Sequence, residues 1–277
     1  DGMVNSTIIL YGLFAGLVAI LVTVSIEKFG GLIGGVLGTI PSTIIPAAAG
    51  VYAIDGEETL VASMSVVPLG MLINGMFLGV WIILPKYINN DGYKLPLTTV
   101  TSLCIWGVLA LISLIVARRV TEGLVSEFIL GFAGLIALAA LAILFNLKGT
   151  SAPKGVNKVP YFVLSVRGIA AGLAIAACLI LAEIGLPFVA GLASAFPAIF
   201  LTSMVALWMS QGPQVPQGAA APMMLGGVSV SVYALLAMWS LPSLGVIFGS
   251  IVAWFGAVGL WTIPAFLLLR KYRLTID

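Results

Sequence analysis

The sequence predicts an all-α, polytopic integral membrane protein, and three observations carry that expectation. Of its 277 residues 61% are hydrophobic and only 8% are charged, against roughly 45–50% and about 25% in a soluble domain. The mean hydropathy is +1.20. The apolar residues also fall in unbroken runs of about twenty, the length a helix needs to cross a bilayer, whereas a transmembrane β-barrel would alternate over about ten. This composition excludes a soluble enzyme, a nucleic-acid binder and a disordered chain. With no histidine, His-based zinc sites and His general bases are excluded too.

Nine runs are expected to span the membrane. The first, 7–26, ends at Glu27-Lys28, and the second, 30–54, ends at Asp55-Gly-Glu-Glu58. The third, 60–84, is separated from the fourth, 97–117, by the polar stretch Lys86 to Pro96. Arg118-Arg119 ends the fourth, and the fifth covers 124–146. The loop Lys148 to Pro160, rich in Lys, Gly and Pro, precedes the sixth, 161–183. The seventh, 187–209, stops at Gln211-Gly-Pro-Gln-Val-Pro-Gln217. The eighth and ninth, 217–239 and 243–269, are divided only by Leu241-Pro-Ser243.

Basic residues in short loops set orientation. With nine spans, one face carries Lys28, Lys86, Lys94, Lys148, Lys154, Lys158, Arg270, Lys271 and Arg273, while the other carries only Arg118 and Arg119. The basic face is expected in the cytoplasm, with the C-terminus there and the N-terminus outside or in a lumen. Arg167, just inside the sixth run, is expected to snorkel to the basic face. Residue 1 is Asp, so either a segment was removed or the numbering begins inside a longer chain. The two cysteines, Cys104 and Cys178, fall inside apolar runs and are expected unpaired.

A shift of 156 residues lays the chain on itself without a gap. Gly12, Ala15, Gly16 and Leu17 meet Gly168, Ala171, Gly172 and Leu173; Glu27 meets Glu183; Gly35, Pro41 and Gly56 meet Gly191, Pro197 and Gly212; Leu69-Gly70 meets Leu225-Gly226. These matches carry weight because Glu is scarce here and Pro and Gly set backbone geometry. The expected organisation is repeat one over 1–120, a connecting helix and basic loop over 121–159, and repeat two over 160–277. Partner spans are five crossings apart, an odd number, so the halves should be inverted. Inverted-topology repeats are common in secondary transporters. In outline the layout resembles the five-plus-five inverted plan of drug/metabolite transporters, with one span fewer and no motif of that family to quote.

In such carriers, interrupted helices at corresponding places mark the binding site. Pro41 and Pro197 each lie about ten residues into their runs, close to the midplane of a ~30 Å core at 1.5 Å per residue. Each proline removes one backbone hydrogen bond and frees a carbonyl, which hydroxyls, water or a ligand can meet. The candidate solute-binding residues are therefore Thr39, Pro41, Ser42, Thr43, Asn74, Ser194, Phe196 and Pro197. The bland alternative is two kinked helices whose Ser and Thr bond their own backbone. Asn74, the only amide well inside a run, either joins helices or touches solute. Glu27 and Glu183 either cap the following helix and reach water, or couple protons or cations. The acidic Asp55, Glu57 and Glu58 read as a solvated loop, and Tyr52 and Trp208 as interfacial anchors.

No catalytic or metal constellation is visible, so no cofactor is expected and the chain does not read as an enzyme. The expected function is transport of a small neutral or weakly charged solute, or a cation, by alternating access. The main alternative is a non-transporting integral membrane subunit. The expected partners are the lipid bilayer and the solute, with a homo-oligomer or a larger membrane complex as possibilities and nucleic acid excluded.

Overall fold

The computed structural model describes residues 2–29, 40–121, 124–148 and 160–274. Among the described residues there are helices and no strands. In chain order they are α1 (Gly2–Phe29), α2 (Ile44–Ile83), a 3-10 turn (Leu84–Lys86), α3 (Asp91–Val120), α4 (Leu124–Lys148), α5 (Tyr161–Glu183), α6 (Pro187–Ser194), α7 (Ala198–Gln211), α8 (Gln214–Ala257), a π-helical turn (Val258–Thr262) and α9 (Ile263–Leu274). Six apolar helical segments are long enough to cross a membrane, and a shorter one, Ser6–Leu21, lies within α1.

That count differs from nine because two segments run through more than one expected span and the apolar segment of α1, Ser6–Leu21, is shorter than a crossing. Ile44–Lys86 has 43 residues and Gln214–Leu268 has 55. A straight helix of the latter length would reach about 80 Å, far beyond a ~30 Å core. Both segments are broken at a glycine of positive φ, Gly56 (75°) and Gly245 (78°), where a residue with a Cβ would be strained. At Gly245 the chain folds back. The Ser240 hydroxyl donates to the Gly249 carbonyl at 2.9 Å, whereas nine residues of straight helix would hold them about 13 Å apart. This reversal is two residues beyond Leu241-Pro-Ser243, because Pro242 is accommodated inside the helix and the glycine supplies the turn.

Local chemistry explains the other ends. Asn90 caps α3, its side-chain oxygen accepting from Gly92 N–H at 2.9 Å, and Asp91 and Arg118-Arg119 complement the dipole at the two ends. After α5, the Gly185 N–H donates to Ala182 O and the Leu186 N–H to Leu181 O, with Gly185 at φ 77°; this is a Schellman ending. Pro187 then starts α6 at a position whose N–H has no helical partner.

Packing relies on close backbone approach. α1 and α5 each carry glycines four apart, Gly12 with Gly16 and Gly168 with Gly172. A Cβ on Gly12 would sit 3.2 Å from Gly172 O, and one on Gly16 would sit 2.8 Å from Gly168 O. The crossing is therefore antiparallel, and small residues let it close where lipid offers no hydrophobic drive. α4 lies along the second limb of α2: Gly131 faces Ser65 O, Gly134 faces Pro68, and Gly75 faces Leu138. The rising pairs make this contact parallel. α8 closes the core from the other side, with Gly227 on Met71 and Gly79 on Met224. Trp81, Phe77, Tyr233, Met204 and Met224 are fully buried in this core. Long aliphatic side chains on the outer faces of α1, α3, α4 and α5 are exposed, as expected for helices facing lipid.

Candidate functional site

Of the two expected helix interruptions, the one at Pro197 lies between described helices, whereas residues 30–39, ahead of Pro41, lie outside the described residues. Ile40 to Thr43 are non-helical and α2 begins at Ile44, so Pro41 stands in the non-helical stretch that leads into α2. Ala195 to Pro197 separate α6 from α7, so Pro197 stands in a break between two helices. Gly56 and Gly212, 156 residues apart, share positive φ, 75° and 82°. Thr39 and the glycine-rich stretch 30–38 lie outside the described residues.

At the Pro197 break the backbone is served from a distance. The Asn74 amide on α2 donates from Nδ2 to Ala195 O at 2.8 Å and contacts Met71 Sδ at 3.4 Å. Its Oδ1 accepts from Trp106 Nε1 on α3 at 2.8 Å. Asn74 is 2% exposed, and both of its N–H groups and its carbonyl are engaged. The Trp106 ring meets Phe196 edge-on, with centroids 5.2 Å apart. Three helices thus converge on the loosened residues before Pro197.

The remaining candidates are distributed as follows. Ser194 turns onto its own helix, donating to Gly191 O at 2.7 Å. Thr202 and Ser203 do likewise, to Ala198 O at 2.8 Å and Ile199 O at 2.6 Å. Pro41 and Pro197 are buried, Ser42 and Thr43 half-buried, and Phe196 exposed. Glu27 falls in the last turn of α1 and Glu183 is the exposed last residue of α5. Asp55, Glu57 and Glu58 are exposed around the Gly56 break, but they stand on helix and not in the expected loop.

Three further residues depart from expectation. Arg167 does not snorkel: it is buried, and its Nη2 donates to Ser203 Oγ on α7 at 3.0 Å, because α7 packs over that face of α5. Trp208 is not an exposed anchor but stacks edge-on against the buried Trp81 at 6.0 Å, and Tyr52 also packs on the core. Trp106 escaped sequence analysis. Its ring reads as lipid-facing until its partner 32 residues away is known.

A crevice of about 960 Å³ opens beside the Pro197 break, walled by α3, α5 and α6 and floored by Trp106 and Phe196. A second, of about 410 Å³, lies between the ends of α2, α3 and α4. Both are lined almost entirely by apolar side chains. Among the described residues no three His, Cys, Asp or Glu side chains gather as a metal site would need. Compared with known proteins, the chain matches no family model, no curated protein and no solved structure.

Proposed function

We propose that the chain is a membrane carrier that moves a small neutral or weakly charged solute, or a cation, by alternating access between two inverted halves, 1–120 and 160–277. The observation that carries this reading is a reciprocal contact. Gly12 meets Gly172 while Gly16 meets Gly168, and each of these residues is the repeat equivalent of the other pair's partner. A two-fold relation between copies produces this pattern, with residue i on j and j on i. The contact of Met71 with Gly227, themselves 156 apart, fits an axis passing between α2 and α8. Non-helical backbone at Pro41 and Pro197 and positive φ at Gly56 and Gly212 recur at matching places in both copies. On this reading Gly56 and Gly245 each divide two crossings, the crossings number nine, and the N-terminus lies outside.

Single cysteines test it. In a background lacking Cys104 and Cys178, Glu57→Cys and Pro213→Cys are equivalent positions. A membrane-impermeant maleimide should label them from opposite faces; labelling from the same face overturns the inversion. Uptake into proteoliposomes of a panel of small neutral solutes and monovalent cations then tests transport, with at least a tenfold loss expected in Pro197→Ala for whichever solute is moved.

One observation favours a second reading, a non-transporting membrane subunit. The polar groups gathered at the Pro197 break are satisfied by protein, and the adjoining crevice is apolar. Opposite-face labelling with no uptake of any panel member would favour it.

A further inference from the structure

We propose that Asn74, Trp106 and Phe196 form a latch that holds the break between α6 and α7 in its present, closed arrangement. Pro197 has no N–H to offer the preceding turn, so the last carbonyls of α6 need donors from elsewhere. The α6 ending supplies some internally: Ala195 N–H reaches Gly191 O and Leu192 O, and Phe196 N–H reaches Ala193 O. The Ala195 carbonyl is met by Asn74, 121 residues away. Asn74 in turn is oriented by Trp106, whose indole N–H fixes Oδ1 and so leaves Nδ2 pointing at the break. Phe196, the residue before Pro197, is clamped against the same indole ring. One amide and one indole thus tie α2 and α3 to the only two residues between Ser194 and Pro197.

The latch has room to release. One of its bonds is side chain to backbone and the other side chain to side chain, and its aromatic pair borders the apolar crevice between α3, α5 and α6, into which Phe196, 41% exposed, can swing. The same lock cannot form at Pro41 by symmetry, because the position 156 residues after Asn74 is Val230, which has no hydrogen-bonding group. Under the carrier reading, on which this last point rests, the backbone at the two prolines is held unequally and the latched state is the resting one. The latch itself stands on contacts within the chain and does not need that reading.

Asparagine and a protonated aspartate can both donate to Ala195 O and accept from Trp106, whereas an ionised aspartate can only accept. Asn74→Asp should therefore make the latch pH-dependent. The described partners of Asn74 are Met71, Ala195 and Trp106, and none of them titrates near neutrality. Hydrogen–deuterium exchange of the 194–201 backbone is read in detergent micelles, relative to wild type at each pH. In Asn74→Leu exchange should rise at least tenfold at every pH. In Trp106→Phe, which keeps the ring pair, it should rise less. In Asn74→Asp it should match wild type at acidic pH and approach Asn74→Leu at alkaline pH, while exchange in the α2–α8 core stays unchanged throughout. Should Asn74→Leu not fold, the aspartate titration and Trp106→Phe decide. Exchange at 194–201 that is unaffected by pH in Asn74→Asp overturns the latch. The labelling at positions 57 and 213 tests the carrier reading separately, so either can fail alone.

Discussion

Amides and indoles act in this protein as donors to backbone carbonyls near prolines. Asn146 on α4 donates to its own Ala142 O at 2.7 Å and to Ala221 O, beside Pro222, at 2.8 Å. Trp261 in the π-helical turn donates to Leu225 O at 2.7 Å. Interhelical bonds of this kind contribute about 0.6 kcal/mol on average and up to about 1.7 within membranes. Asn146→Leu is therefore expected to lower stability by about 0.5–2 kcal/mol, read as a fall in thermal midpoint in detergent. Gly191 sets a steeper demand, because a Cβ there would collide with the Ser63 carbonyl. Backbone cannot yield as a flexible side chain does, so Gly191→Ala should cost about 1–3 kcal/mol or more; a midpoint equal to wild type would show that α6 does not seat on α2 as described. At the exposed start of α3, the Lys94 ammonium hydrogen-bonds Asp91 at 2.7 Å and holds its carboxyl below the usual value. A depressed folded pKa means the interaction is present above the unfolded value and is lost as pH falls through the folded one. The Asp91 titration midpoint, followed by NMR, should move up toward the ordinary carboxylate value in Lys94→Met.

Among the helices, α1 and α5 show how an element finds its neighbour without hydrophobic drive. Both are apolar all round, so hydropathy does not choose the packing face; the glycines do. Ala15 and Ala171, on the glycine faces, are buried, while Leu17 and Leu173 are more than half exposed. Gly16→Leu should pry the pair apart and lower the thermal midpoint markedly. Leu17→Ala, on the lipid side, should leave it within about 0.5 kcal/mol of wild type. Equal effects would place the interface elsewhere. The element ends were largely legible, since Tyr161–Glu183 matches the expected 161–183. Caps, prolines and charge clusters act within a turn or two, so their sequence signal is local. The fusions across Gly56 and Gly245 were less legible. Asp55-Gly-Glu-Glu58 reads as a loop, but helix resumes immediately on either side of one glycine, and charge alone does not separate a loop from a helical hinge.

At the scale of the molecule, the six apolar segments of crossing length among the described residues, with lipid-suited outer faces, make this an integral membrane protein. The chain should stay in the pellet when membranes are washed with alkaline carbonate; release into the supernatant would contradict the assignment. Composition alone determined that much, because burying or solvating apolar runs of this length any other way is prohibitive. The sequence also placed the break at Pro197 and the non-helical backbone at Pro41, since proline's missing N–H weakens a helix from within. Only the tertiary structure decided what answers the loosened backbone. Asn74 reaches a carbonyl 121 residues away, Trp106 orients it from a third helix, and Arg167 turns inward because α7 covers it. Those pairings depend on which helices touch and at what height. That is a property of close packing between distant segments, which no stretch of neighbouring residues encodes by itself.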